Sequence, residues 1–275
     1  MVFALLLAAL ASVAAASEPR QIRFVRPDAN PVVLSVDKLI AGCKPETIAL
    51  DDPYYGARKT YRACPLANVL ALGFGQPITD FNGQTVFFQA RDGYAKPVPA
   101  TLLSEPGGFV AFADADHEKG EDPGWQPIDR KQADPGPFYV VWTGAAQQDT
   151  HQYPWPYQLT QIEIAPIDKL YPHIAPSGLP AASPAYAGYT IFTAQCIACH
   201  AINREGGSVG PELNVPRSIV EYRPADQIKA YIRDPGSFRY TSMPPHPALS
   251  GADLDALVAY FTAMKDRKND PGQTP

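Results

Sequence analysis

The chain of 275 residues is long enough for one large domain or two modest domains, each with its own hydrophobic core. It contains 30 prolines, but 45% of its residues are hydrophobic, a composition that excludes a disordered polymer. The formal net charge is -5 at pH 7 and no basic run is present, so we expect no nucleic-acid partner.

The N-terminus is apolar from Val2 to Ala16 and ends in small residues. This pattern predicts a secretory signal peptide over residues 1–16, cleaved near Ala16, although the usual positively charged start is missing apart from the α-amino group. A membrane anchor is the alternative, but the apolar run is shorter than the roughly 20 residues that span a bilayer. We therefore expect a periplasmic protein with no membrane span in the mature chain.

Residues 18–165 show short β-branched and aromatic runs bounded by Gly, Pro and Asp, which predict strands. The runs are IRFV, PVVLSV, ETIAL, TVFFQA, GFVAFA, PFYVVW and YQLTQIEI. One stretch, PLANVLALG, has proline at its start and glycine at its end and predicts a short helix. The pattern is typical of an α+β domain that is mostly β with short helices.

Residues 166–184 are rich in Pro, Ala and Ser and predict a semi-rigid linker. Residues 185–270 then predict an all-α domain. Its clearest helix is SGADLDALVAYFTAMK, where Ser250 and Asp253 have the spacing of an N-terminal cap. An apolar stripe at helical spacing follows the cap.

The sequence CIACH places Cys196, Cys199 and His200 within five residues. A structural zinc site would need further ligands, and a redox dithiol would be expected in a βαβ context instead of a helical one. Covalent haem attachment fits better, because two thiols three residues apart lie on one side of a helical turn and can each bond a vinyl group. The histidine that follows can then bind the iron, and C-x-x-C-H is the signature of c-type haem attachment.

Together with GPEL, TSMPP and the closing helix, this box makes residues 185–268 resemble the class I monohaem cytochromes c. The resemblance implies one haem c with thioether bonds to Cys196 and Cys199 and with His200 as the proximal iron ligand. It also implies that the Pro211 carbonyl bonds the other ring nitrogen of the histidine. The opening helix would cross the closing helix at Gly188, Phe192 and Tyr260.

The sixth iron position needs a second ligand, and Met243 in the proline-bounded TSMPP loop is predicted to supply it. His246 on the same loop is the rival, while Met264 at the end of the closing helix is expected to pack or lie at the surface. Arg239 and Tyr240 are weak candidates for bonding a haem propionate.

The N-terminal domain resembles the small sulfite-oxidase-type molybdopterin fold through YRACPLANVLALGFG, FFQARDGYAKPVPATLL and the YPWPYQLTQIEI region. Neither Cys43 nor Cys64 has the sequence context of that family's metal-binding cysteine, so we expect no molybdenum. Because export places the chain in an oxidising compartment, the two cysteines are predicted to form a disulfide, with two buried free thiols as the alternative. Arg91 and Lys96 are interpreted as a solvated strand end.

These features predict a periplasmic cytochrome that carries one electron at a time on a His/Met haem and meets a redox partner protein. Its N-terminal domain would dock that partner or bind a small molecule. The alternative is a single-chain dehydrogenase whose N-terminal domain holds a molybdenum or organic cofactor. A haem-based sensor with a labile sixth ligand is a third interpretation.

Overall fold

The computed structural model describes residues 20–117, 124–128 and 132–272. The predicted signal peptide, residues 1–16, lies outside these ranges. None of the helices in the described ranges is long and apolar enough to cross a membrane.

The N-terminal region, residues 20–165, contains two β-sheets. Five strands form the first sheet, in the order β2, β1, β9, β5, β6. Their bounds are β1 Gln21–Arg26, β2 Ala29–Ser35, β5 Thr85–Ala90, β6 Ala95–Pro99 and β9 Leu159–Ile164. Only the β1–β9 pair among them is parallel. The mixed sheet thus ties the beginning of the region to its end.

The second sheet is antiparallel, in the order β3, β4, β7, β8. Its strands are β3 Glu46–Asp52, β4 Ala57–Pro65, β7 Gly108–Asp114 and β8 Tyr139–Trp142. One hydrophobic core is shared by both sheets and includes Phe24, Phe88, Tyr139 and Trp142. Trp155 is buried in the same core.

Short helices close this region: α1 Val36–Cys43, α2 Leu66–Phe74 and α3 Ala100–Leu103. Single 3-10 turns cover Ile78–Phe81 and Ala145–Gln148. A disulfide joins Cys43, at the end of α1, to Cys64 in β4, with a Cα–Cα distance of 5.6 Å. Both cysteines are fully buried.

The N-terminal region is therefore mostly β with short helices, as expected, but four elements were not predicted. These are α1, α3, β4 and β6. In β4 one inward-facing position is taken by Lys59, and β6 contains two prolines in five residues. Neither strand therefore shows the usual hydrophobic alternation. The predicted helix also ends one residue later than expected, at Phe74, since Gly75 and not Gly73 adopts the left-handed conformation (φ 74°).

The connecting segment, residues 166–184, contains a short helix, α4 Ile167–Leu170. Tyr171 packs edge-on against Phe87 of β5, with ring centroids 5.5 Å apart. Ile174 is fully buried in the core of the C-terminal region, and its carbonyl accepts a hydrogen bond of 2.7 Å from the Tyr260 hydroxyl. The segment predicted as a linker is thus packed against both regions.

The C-terminal region is helical, with α5 Pro184–Ile191, α6 Ala225–Arg233 and α7 Gly251–Lys265. A π-turn, Phe192–Cys196, continues α5. Two two-residue strands, β10 Ala201–Ile202 and β11 Glu205–Gly206, form a hairpin. Further 3-10 turns cover Ile219–Glu221 and Pro235–Ser237.

Helices α5 and α7 cross at the predicted small residue. A Cβ atom on Gly188 would lie 2.0 Å from the Ala256 carbonyl oxygen, so only glycine permits this approach. Phe192 and Tyr260 lie beside the crossing with ring centroids 5.4 Å apart. The Ser250 side chain accepts a hydrogen bond from Asp253 N, which confirms the predicted cap of α7.

Candidate haem-attachment site

The two free cysteines lie where helix α5 changes its winding. Ile197 N donates to Phe192 O at 2.9 Å, a bond across five residues. His200 N and Cys199 N then both donate to Cys196 O, at 2.9 and 3.1 Å. These bonds fold the CIACH box into a tight turn. π-Turns of this kind are frequent at functional sites, because the extra residue re-aims the side chains that follow.

Cys196 and Cys199 are unpaired and half-buried. Burial raises the pKa of Cys196 to about 12 and that of Cys199 to about 11. Both sulfurs therefore stay protonated near neutral pH. A protonated thiol can add across a vinyl group, with a new carbon–sulfur bond forming and the proton passing to the neighbouring carbon.

The His200 ring is fixed by the loop that follows it. Its Nδ1 lies 2.8 Å from the Pro211 carbonyl oxygen, and since a carbonyl can only accept, Nδ1 carries the proton. Burial lowers the pKa of His200, against a smaller opposing effect of the Pro211 bond. The ring is therefore neutral, with its Nε2 lone pair free to bind a metal.

Gly210 keeps the space beside this ring open. A Cβ atom there would lie 2.5 Å from His200 Cε1. Gly210 N also donates to Cys199 O at 2.7 Å, and Gly207 N to Ile197 O at 2.8 Å. Two thiols, one oriented imidazole and a glycine-lined approach fit the demands of a covalently attached haem.

Glu212 braces the loop below the histidine, a role that the sequence analysis did not predict. Its Oε1 accepts from Asn203 N at 3.0 Å and from Asn214 N at 2.7 Å, and its Oε2 accepts from Arg204 N at 2.8 Å. The Asn214 side chain in turn donates to the Met264 carbonyl at the end of α7, at 2.9 Å. A network of hydrogen bonds of this kind holds a loop in one conformation.

The TSMPP loop contains both candidates for the sixth iron position. Met243 is half-buried and packs against the core of the C-terminal region, and its amide donates to Thr241 Oγ1 at 3.1 Å. His246 is buried, and its Nδ1 lies 3.2 Å from Gln195 Oε1. Met264 is fully buried in the helical core, which is the packing role expected of it.

His246 also contacts the N-terminal region, where the ring of His151 lies with its centroid 5.0 Å away. Burial, then His151 and then His200 lower the pKa of His246 to about 4. The imidazole of His246 is thus neutral near neutral pH. Both loop candidates accordingly offer an uncharged donor atom.

Arg239 and Tyr240 are both exposed. The guanidinium of Arg239 donates to the Tyr231 hydroxyl at 3.1 Å, and Tyr240 has 91% of its surface accessible. A role for either residue in bonding a haem propionate stays a prediction.

The turn Asp92–Tyr94 of the N-terminal region packs directly on residues 194–208, which contain the CIACH box and are called the attachment loop below. The sequence analysis missed this contact. Ala95 N donates to Ala198 O and Ser208 N donates to Gly93 O, each at 2.9 Å. Lys96 is only 6% exposed, and its ammonium donates to the Ala194 carbonyl. The interpretation of Lys96 as a solvated strand end was therefore wrong, because its aliphatic chain and its charge are both covered by the attachment loop.

Comparison with known proteins locates the family likeness. Residues 185–265 match the model of the cytochrome c family. The C-terminal region contains a cytochrome c domain. Such a domain supports a role in haem electron transfer and implies a covalently bound haem c, which agrees with the free thiols and the oriented histidine described above. The resemblance of the N-terminal region to sulfite-oxidase-type domains stays a prediction.

Two curated relatives share part of the chain. Cytochrome c oxidase subunit 2 of Alkalihalophilus pseudofirmus is 35% identical over 77 residues, which are 26% of this chain and 22% of that protein. Lupanine 17-hydroxylase [cytochrome c] of a Pseudomonas species is 34% identical over 101 residues, which are 34% of this chain and 13% of that protein. The chain thus spans less than a quarter of the length of either relative.

Proposed function

We propose that the chain is a periplasmic electron carrier that holds one haem c and exchanges single electrons with a redox partner protein. Cys196 and Cys199 would hold the haem by thioether bonds, and His200 and Met243 would bind its iron. The observation that supports this most directly is the bond from His200 Nδ1 to the Pro211 carbonyl, beside two protonated, unpaired thiols on the same turn. The bound haem supplies a one-electron couple that needs no ligand to leave.

The residues of the chain orient and shield this group. The Pro211 carbonyl fixes the tautomer of His200 and makes the ring a stronger donor to the iron. Glu212 and Asn214 hold the loop that presents Pro211. Methionine at the sixth position favours the reduced iron and raises the reduction potential, whereas His246 in the same place would lower it.

Haem attachment is tested first. Protein from a host that attaches haem c should, after denaturation, exceed the mass of the processed chain by one haem. The haem should also resist extraction with acidified acetone. Extraction of the haem, or a mass without it, would overturn the proposal.

The distal ligand is tested with Met243→Ala and the matched control Met264→Ala. The oxidised protein should show the weak red charge-transfer band of sulfur–iron ligation, and only Met243→Ala should abolish it. Survival of the band in Met243→Ala would assign the sixth position to another residue. So would a spectrum of bis-histidine ligation in the unsubstituted protein, without the band, if His246→Ala removes that spectrum.

The dehydrogenase is the second candidate. It is favoured by one observation, the packing of the N-terminal region on the attachment loop, and a hydroxylase stands among the relatives. A molybdenum site of the sulfite-oxidase type would require a free cysteine sulfur, yet Cys43 and Cys64 are bonded to each other. We therefore expect no molybdenum in protein made with molybdate and an intact cofactor pathway. One molybdenum per chain, lost in Cys64→Ser, would favour the dehydrogenase over the carrier.

A further inference from the structure

Lys96 is a buried charge that comes from the N-terminal region and ends at the attachment loop of the cytochrome c domain. It belongs to β6, whose first residue bonds to Ala198 between the two attachment cysteines. Its ammonium donates to the Ala194 carbonyl, two residues before Cys196. Water and salt screen the charge of an exposed ammonium group, but Lys96 is almost completely covered.

The surroundings of Lys96 differ from those of Lys59, the other buried lysine in the part of the chain that the structure describes. Lys59 forms an ion pair of 2.7 Å with Asp114, so its charge is balanced nearby. Burial lowers the pKa of Lys96, and the smaller electrostatic effects of Cys196 and Cys199 oppose that change. Near neutral pH neither sulfur carries a charge, either as a protonated thiol or as a thioether, so neither balances the ammonium.

The turn that presents Lys96 is fixed in place on both sides. Gly93 accepts from Ser208 N and Ala95 donates to Ala198 O, each at 2.9 Å. Gly93 has a φ of 94° and approaches Ser208 so closely that a Cβ atom would lie 2.1 Å from its Oγ. The contact is thus a built interface between backbone segments, and it holds Lys96 at one position relative to the attachment cysteines.

We propose that Lys96 raises the reduction potential of the haem, so that the N-terminal region sets the potential of the cytochrome c domain. This inference rests on the proposed haem site. Reduction lowers the charge of the iron by one, and a positive charge held close by in a region of low dielectric constant favours that change. Lys96 acts on the iron through space and is a charge-setting residue, not a ligand.

Asp92 on the same turn carries the opposite charge and tests the direction of the proposed effect on the reduction potential. Its carboxylate accepts from Tyr94 N at 3.0 Å and acts electrostatically on Cys199. It is exposed, so water and salt screen it more than Lys96. Its removal should raise the potential, and by less than removal of Lys96 lowers it.

The experiment is a spectroelectrochemical titration of the full haem-loaded chain. Lys96→Gln removes the charge and keeps a donor for the Ala194 carbonyl, Lys96→Met removes both, and Lys96→Arg keeps the charge. The exposed Lys38→Met, on α1, is the control for a change of net charge far from the loop. Absorption spectra of all variants verify that the iron ligands are the same.

We expect Lys96→Gln and Lys96→Met to lower the equilibrium constant for reduction of the haem about tenfold. This change corresponds to a reduction potential lower by about 59 mV for one electron. Lys96→Arg and Lys38→Met should stay within a factor of two of the unsubstituted protein, and Asp92→Asn should shift in the opposite direction. An unchanged reduction potential in Lys96→Gln would overturn the proposal. A potential lowered only in Lys96→Met would also overturn it, because the hydrogen bond and not the charge would then matter. Absence of covalent haem from the unsubstituted protein would instead refute the proposed function itself.

Discussion

The two cysteine pairs of the chain divide between its two regions and are used in opposite ways. Cys43 and Cys64 are fully buried and bonded to each other, and they tie α1 to β4 within the N-terminal region. Cys196 and Cys199 are half-buried, unpaired and three residues apart on one turn. Sequence spacing and local winding decide the difference, because a tight turn displays both sulfurs on one side while α1 and β4 bring the other two face to face.

The regions also differ in how they treat charge. The N-terminal region buries Asp114 and Lys59 as an ion pair, with Asp114 Oδ2 also accepting from Gln126 N at 3.2 Å. In the C-terminal region the pair Lys268–Glu221, one of several, lies at the surface, with an N–O distance of 2.6 Å. The first region thus buries a charged pair, whereas this pair of the second region stays exposed to water.

The largest expected effect is on haem attachment. Cys196→Ala combined with Cys199→Ala should abolish covalent haem, since no other free cysteine exists once Cys43 and Cys64 are bonded. Haem staining of denatured protein measures it. The matched control is Cys43→Ala combined with Cys64→Ala, which should keep the stain. Staining of the first double variant would show that the two pairs are not divided as described.

A smaller but still large effect is expected from Lys59→Met. It leaves Asp114 buried without its ammonium partner, and breaking such a pair costs about 3–5 kcal/mol of unfolding free energy. Fluorescence in a urea titration reports on this region alone, because the three tryptophans, Trp125, Trp142 and Trp155, all lie there. The neighbouring Arg58→Met, whose guanidinium is exposed and 3.8 Å from Asp51, should change little. Equal midpoints for both variants would contradict the prediction.

Removal of the disulfide should destabilise the N-terminal region by about 3 kcal/mol, since the bond closes a loop of roughly 20 residues. Cys43→Ala combined with Cys64→Ala should lower the tryptophan-detected midpoint in urea and leave the haem spectrum as it is. In the unsubstituted protein, thiol labelling after denaturation without reductant should detect no free thiol. Two labelled thiols would support the alternative of two free cysteines.

The smallest effect is expected at the surface pair of the C-terminal region. Lys268→Met should cost less than about 1 kcal/mol, because water screens exposed pairs. Unfolding followed by haem absorbance measures it, with and without added salt. A cost similar to that of Lys59→Met would show that the two regions do not differ in their use of charge.

The sequence predicted those elements whose signal is local. The helix α7 with its Ser250 cap is confirmed, as is the crossing at Gly188. The haem-attachment box required only five consecutive residues. The cap and the box arise from neighbours along the chain, where spacing alone determines which side chains share a face, whereas the crossing was implied by the resemblance to class I cytochromes c.

The missed features depend on partners that are distant in sequence. Strand β4 was not predicted because Lys59 occupies an inward position, and its partner Asp114 lies 55 residues away. Lys96 was interpreted as solvated because the Ala194 carbonyl that it bonds lies 98 residues away. A lysine on a proline-rich strand gives no local sign of burial, so only the folded structure assigns it.

The connecting segment has a consequence for encounters with a partner. Tyr171 is held by Phe87, and Ile174 by Tyr260, so the segment does not act as a free tether on which the haem could swing. The two regions are then held together, and a partner of the proposed carrier would reach the haem only when the whole molecule presents the correct side.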